Sequence, residues 1–291
     1  MQAATVSTDL AKIVRRIKNL PTLPVVVTQL MEAVNNPSFS ASDVSRIISN
    51  DQALVSKILR IVNSAFYGLP KRVSTLTQAT VILGFNTIKN LALGATVFEM
   101  FSKGTEEDGG CDRAEFWKHA IGTGVATKLL AREIRYSNPE EAFVSGLIHD
   151  IGKVVLDQFL HSEFAEVCRV AREDGIRFID AERIVLNVTH GEIGHWLAQK
   201  WNLPNQLDEA VWLHHDPAAA RHAPRLVAMV HLADAIARME HVGFAGDEVE
   251  PEMDPAIWDV LRLPSDAMEN VLANFPKEFE RSAIFLKLAA E

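Results

Sequence analysis

Apolar residues recur along this chain at three- and four-residue spacing, the rhythm of a helix with one buried face. In the stretch 51–62 they are Leu54, Val55, Ile58, Leu59, Ile61 and Val62. The same rhythm predicts helices over 75–83, 87–101, 114–134 and 193–201, with further helices over 255–261 and 277–288. Polar punctuation fits these segments. Ser40, followed three residues later by Asp43, is a variant of the capping box. Leu23 and Pro24 set a helix start, because proline is tolerated in a first turn. Asn63 and Ser64 close a helix through side-chain bonds to backbone, and Gly84 stops one helix before the next begins. The first twenty residues read as an amphipathic helix rather than a signal peptide, with Arg15, Arg16 and Lys18 on a solvated face. No alternating run bounded by hairpin turns occurs, so the expected fold is all-α, a helical bundle.

The stretch 102–112 is polar, contains Gly104, Gly109 and Gly110, and is the best linker candidate. It suggests an N-terminal helical half (1–103), a second helical unit (110–240) and C-terminal helices (241–291). Hydrophobic residues are 48% and charged residues 23%, an ordinary globular balance. The net charge of −9 argues against nucleic-acid binding, which needs clustered positive charge. Two distant cysteines, Cys111 and Cys168, make a disulfide framework unexpected and a reducing cytoplasm the expected location. No apolar run is long enough to span a bilayer, so no membrane insertion is expected.

Histidine usage changes the picture. The N-terminal half has none, and every histidine but His241 falls in the second unit. Glu115 and His119 (EFWKHA) lie four residues apart and project from one helix face. His149 and Asp150 (GLIHDIGK) point apart on an ideal helix and converge only near a helix end, which Gly152 makes plausible. Leu147, Ile148 and Ile151 surround that pair, so an uncompensated carboxylate there would be costly and a metal or hydrogen-bonding partner would relieve it. His190, His214, His215 and Asp234 complete the candidates. Taken singly, each is more often a surface or hydrogen-bonded group than a ligand. Jointly, imidazoles with carboxylates suit iron, manganese, zinc or nickel, as one ion or two, and a carboxylate bridging two ions is the arrangement used in phosphoester hydrolysis. His195 lies off this face and reads as packing or hydrogen bonding, and His161, His222, His231 and His241 fit no ligand position. Trp117, Trp196, Trp201 and Trp212 read as core and groove-lining aromatics rather than base-stacking platforms.

The order His119, His149–Asp150, Asp234 is similar to the signature of the HD-superfamily metal-dependent phosphohydrolases. With His190, His214 and His215 it resembles the longer pattern of the HD-GYP branch, which hydrolyses cyclic di-GMP. That resemblance implies metal-ligand roles for these residues, a phosphate-facing role for Lys153, and an additional acidic ligand in Glu115. After His215-Asp216 the chain reads Pro217-Ala218-Ala219-Ala220, without a Gly-Tyr-Pro loop, which argues against cyclic di-GMP. LPTLP at 20–24 and the runs IISNDQALVSKILRIVNSAFYG and LTQATVILGFNTIKNLAL resemble the HDOD domain, the HD-related output domain of bacterial signalling proteins, over roughly 20–220. Their own chemistry is that of packing, since they offer no nucleophile–base pair or ligand set. The resemblance implies an HD-domain-like helical bundle acting as a signal-transduction output module, with a metal site and no established catalysis. The alternative is a phosphohydrolase of a nucleotide or cyclic dinucleotide, using Asp150 and Lys153. Signalling proteins supplied in trans and a nucleotide are the expected partners; nucleic acid and membrane are not.

Overall fold

A computed structural model of the chain describes residues 8–18, 20–33, 40–102 and 112–289. Six helices form the N-terminal layer: α1 (Thr8–Arg16), α2 (Val25–Ala33), α3 (Ala41–Ile48), α4 (Gln52–Val62), α5 (Leu76–Leu83) and α6 (Phe85–Ser102). Their ends follow the punctuation of the sequence. Ser40 and Asp43 close a reciprocal capping box on α3. The Asp51 carboxylate accepts from Leu54 N at 3.0 Å to start α4. Asn63 ends α4 by donating to the carbonyls of Leu59 and Val73, both at 2.8 Å, while Val73 N donates to Asn63 Oδ1 at 2.7 Å. One amide thus closes a helix and fixes the loop beyond it. Gly84, at φ 87°, turns the chain between α5 and α6 in a region that favours glycine.

The second layer holds α7 (Arg113–Glu133), α8 (Pro139–Ile148), α9 (Ile151–Phe159), α10 (His161–Asp174), α11 (Phe178–Val185), α12 (His190–Lys200), α13 (Asn205–Leu213) and α14 (Pro224–Met239). The chain ends in α15 (Ala256–Leu261), α16 (Ala267–Arg281) and α17 (Ala283–Ala289). Every residue in 116–131 except Lys118 is buried, so α7 is enclosed on all sides and sits at the centre. It packs against α8, α14 and α16, while α12 lies between α9 and α13. No strand occurs among the described residues.

One hydrophobic cluster takes in residues from all three stretches suggested by the sequence, from Leu30 and Ile58 through Val125 and Leu147 to Val271 and Phe285. Phe66, Phe143 and Phe285 meet there, with ring centroids 5.0–5.4 Å apart. The linker candidate falls almost wholly outside the described residues, as does Cys111. One helix departs from expectation: α16 starts at Ala267 and runs through Pro276. Pro276 is exposed, so water can satisfy the carbonyl that its missing N–H leaves free. No single described helix is long and apolar enough to cross a membrane; α5 and α6 pass that test only as a pair bent by 118°.

Candidate metal centre

The break between α8 and α9 falls on His149 and Asp150. His149 ends α8 in helical geometry, and Asp150, at φ −97° and ψ 14°, opens α9. That change of direction lets two adjacent side chains face one place. His190 opens α12 behind Thr189, whose capping box with Glu192 fixes the helix start. The two helix starts touch: a Cβ on Gly152 would lie 1.9 Å from the His190 carbonyl oxygen. Only glycine at this position allows Asp150 and His190 to converge. His214 ends α13 with His215 next to it, while His119 and Asp234 project from the buried interiors of α7 and α14.

The side chains form two adjoining groups whose potential ligand atoms lie within 4.8 Å of one another: Asp150, His190, His214 and His215 in one, His119, His149 and Asp234 in the other. His190 Nε2 is 3.1 Å from Asp150 Oδ1, 3.2 Å from His214 Nε2 and 3.1 Å from His215 Nε2. In the second group His119 Nε2 is 2.9 Å and His149 Nε2 3.8 Å from Asp234 Oδ1. Asp150 joins the groups, with Oδ1 toward His190 and Oδ2 3.4 Å from His149 Nε2.

The far sides of the imidazoles are already committed. His149 Nδ1 donates to the Gly146 carbonyl at 2.7 Å and His214 Nδ1 to the Val211 carbonyl at 2.9 Å. Carbonyls only accept, so in each neutral ring Nε2 carries the lone pair and points inward. Buried Glu182 accepts from both the backbone N (3.0 Å) and Nδ1 (2.7 Å) of His190. Rings oriented by outer acceptors, with bare nitrogens converging on one place, are the arrangement of metal-ligating histidines. His149 Nε2, which faces both Asp150 and Asp234, is buried without a hydrogen-bond partner, as expected where an ion rather than a donor would complete the site.

The protonation states agree. Burial pushes His149 down to about 3 and also lowers His214 and His215, favouring neutral imidazoles. Burial alone would protonate Asp150 and Asp234, but His149, Lys153 and His190 hold the first well below the usual carboxylate range, and His119 and His149 hold the second there. His190 differs: burial opposes its charge, yet Glu182, aided by Asp150, pushes it up to about 9. Two ionised carboxylates among soft, mostly neutral nitrogens make a donor set that fits a divalent transition metal.

Seven of the eight ligand candidates are therefore brought together. Glu115 is not. Its carboxylate pairs with Lys118 and is 36% exposed, outside both groups. Four-residue spacing put it on the His119 face, but Lys118 draws it to the rim. Lys153 Nζ donates to Asp150 Oδ2 at 2.6 Å and to the Ala245 carbonyl at 2.8 Å. Burial favours its neutral form, but Asp150 outweighs this and raises its pKa. His195 stands apart, stacked on Trp212 and bonded to Asp208 at 2.6 Å. Two residues with a part in the site were not identified from the sequence. Glu182 carried no signal beyond being an acid on a helix. His231, set aside earlier, donates from Nδ1 to the His214 carbonyl at 2.7 Å and accepts the Asp254 N–H at Nε2 at 3.0 Å. A cavity of about 530 Å³ opens beside the cluster, lined by Lys153, His215, His231 and Asp234 and by the segment after α14.

The family model of the HDOD domain matches residues 20–217. A crystal structure of an HDOD domain protein of unknown function from Geobacter sulfurreducens is 26% identical and superposes with a TM-score of 0.83, covering 97% of each chain. A second, from Shewanella amazonensis SB2B, whose name proposes a phosphohydrolase, is 26% identical with a TM-score of 0.66, covering 96% of this chain and 94% of that one. An uncharacterized protein of Treponema pallidum (strain Nichols) is 29% identical over 230 residues, 78% of this chain. The chain spans under half the length of the curated relatives it matches.

Proposed function

We infer, from the premise that this chain belongs to the HDOD domain family, that it is a signal-transduction output module carrying a metal site able to hold two ions. The observation that carries this reading is the pair of adjoining donor groups joined by Asp150. Asp150, His190, His214 and His215 would hold one ion, and His119, His149 and Asp234 the other. The donors suit iron, manganese, zinc or nickel. Such ions, when bound, polarise phosphate oxygens and lower the pKa of bound water. The chain's own part is distinct. Lys153 keeps its proton at Nζ beside Asp150 and lines the cavity, where it would offset charge on a phosphate-bearing ligand such as a nucleotide. Glu182 fixes the His190 ring, and His231 fixes the His214 carbonyl. In this reading the module works in the cytoplasm with signalling proteins supplied in trans.

The cavity favours a second reading, hydrolysis of a nucleotide or other phosphate ester, because it reaches His215, Asp234 and Lys153 at once. Elemental analysis after growth in metal-replete medium tests the site. Wild type should carry transition metal, and His149→Ala and Asp150→Ala should lose most of it. Wild type that carries none, and takes none up on titration, overturns the reading. Turnover of phosphomonoesters or cyclic dinucleotides with Mn²⁺ or Fe²⁺, abolished by Asp150→Ala, would make hydrolysis the primary function.

A further inference from the structure

The segment 242–254, after α14, lines the cavity beside the candidate metal site through Asp247 and residues 250–254 and is tied down along its length. Gly243 sits so tightly on α7 that a Cβ would come within 2.2 Å of the Glu115 oxygen and 2.3 Å of His119 N. Phe244 N donates to the Glu115 carbonyl at 3.1 Å, and the Ala245 carbonyl accepts from Lys153. Glu252 pairs with Arg177 at 2.5 Å, and Asp254 N donates to His231. The segment carries five acids: Asp247, Glu248, Glu250, Glu252 and Asp254.

Asp247 has the most telling position. Its carboxylate is 4% exposed. One oxygen meets the Arg238 guanidinium and accepts the Val249 N–H at 3.0 Å, and the other accepts the N–H of Phe178, the first residue of α11, at 2.8 Å; Arg238 also donates to the Val249 carbonyl of the same segment at 2.7 Å. A guanidinium facing a helix-start amide is a cradle for an oxyanion. Arg238 stands one helical turn beyond Asp234 on α14, about 6 Å along the axis, so the cradle adjoins the metal ligands. The remaining cations of the cavity are also engaged: Lys153 with Asp150, Arg177 with Asp180 and Glu252, and Arg183 with Asp180.

Resting on the phosphate-ligand reading of the site, we propose that the acidic strap is a built-in competitor for that ligand. Asp247 fills the Arg238–α11 cradle, and an incoming phosphate must displace it and lift the strap. The strap is then an autoinhibitory element whose release couples occupancy of the site to a change at the protein surface.

The test uses the full chain and inorganic phosphate, read by calorimetry and by backbone hydrogen exchange. In wild type, phosphate should accelerate exchange across 243–254. Asp247→Asn, which keeps an acceptor for Phe178 N but loses the charge facing Arg238, should bind phosphate about tenfold more tightly or better and exchange rapidly there without it. Adding Arg238→Gln to Asp247→Asn should remove that gain. Folded Asp247→Asn with unchanged or weaker affinity overturns the proposal. So does phosphate binding to wild type without faster strap exchange, or no phosphate binding to either protein. If Asp247→Asn does not fold, wild-type exchange decides, with Glu252→Gln as the milder variant expected to tighten binding. Elemental analysis reports separately on the metal, which the Arg238 cradle does not require.

Discussion

At the scale of single residues, the candidate metal site depends on groups that would not touch an ion. Glu182 is fully buried and holds His190 through both the backbone N–H and Nδ1. Glu182→Gln keeps one acceptor but loses the charge that orients the ring, so at about pH 9 and above, where the proton on His190 no longer competes, metal affinity should fall about 10- to 100-fold, as for other supporting partners of ligand histidines. Metal titration followed by circular dichroism checks this, with helix content unchanged. The same pair sets a pH dependence. His190 is pushed up to about 9, so below that value a proton occupies it in the metal-free protein and must leave when an ion binds. His149, His214 and His215 are pushed below the ordinary imidazole range and add no competing proton between pH 7 and 9. Apparent affinity should therefore rise about tenfold per pH unit across that window and level off above it. Titrations at pH 7, 8 and 9 measure the slope, and a flat profile contradicts it. The seven clustered candidates were legible in the sequence because imidazole and carboxylate declare their chemistry wherever they stand. Glu182 and His231 were not, because their roles come from contacts between helices. Glu115 falls outside both groups because spacing fixes a helical face but not which neighbour claims the side chain.

At the scale of elements, the centre depends on two helix starts meeting. Asp150 opens α9 and His190 opens α12, and their approach passes through Gly152. Gly152→Ala would set a methyl group 1.9 Å from a backbone oxygen that cannot rotate away. The helices must separate, at a cost of at least about 2 kcal/mol. Urea denaturation should show that loss, and elemental analysis should show metal content reduced with every ligand present. Local signals marked α3, α4 and α5 well: Ser40 and Asp43 were readable as a cap, and apolar spacing gave the stretches 51–62 and 75–83, which the structure caps at Asp51 and Thr75. They served α8 less well: from Ala142 to Ile148 all its residues are buried, so no polar face marks its limits. Pro276 hid the first part of α16, because a proline inside a helix is disfavoured until the structure shows it facing water.

Across the whole molecule, the N-terminal layer is joined to the helices of the metal centre by a buried polar network as well as by the common core. Lys128 of α7 pairs with Glu140 of α8 at 2.6 Å, and Tyr67, from the loop after α4, donates to the same carboxylate at 2.7 Å. The ammonium also lies over the rings of Phe66 and Tyr67, 4.1 and 4.8 Å from their centroids. Burial pulls Lys128 toward neutrality, and Glu140 opposes this. The AFYG motif was recognisable as a packing motif, but its partners Lys128, Glu140 and Phe143 sit more than sixty residues away and could be found only in three dimensions. Such a pair contributes little net stability beside an apolar replacement, yet breaking it from one side strands a buried charge. Lys128→Met should therefore cost about 3–5 kcal/mol. Adding Glu140→Gln removes the stranded charge and keeps an acceptor for Tyr67, so the double variant should recover roughly half of that loss or more. Chemical denaturation of the two single variants and the double variant closes the cycle. Additive losses would mean that Lys128 and Glu140 are not coupled. Recovery in the double variant would mean that Lys128 and Glu140 act as one unit between α7, which carries His119, and α8, which His149 ends, with Tyr67 bringing the N-terminal layer to that unit.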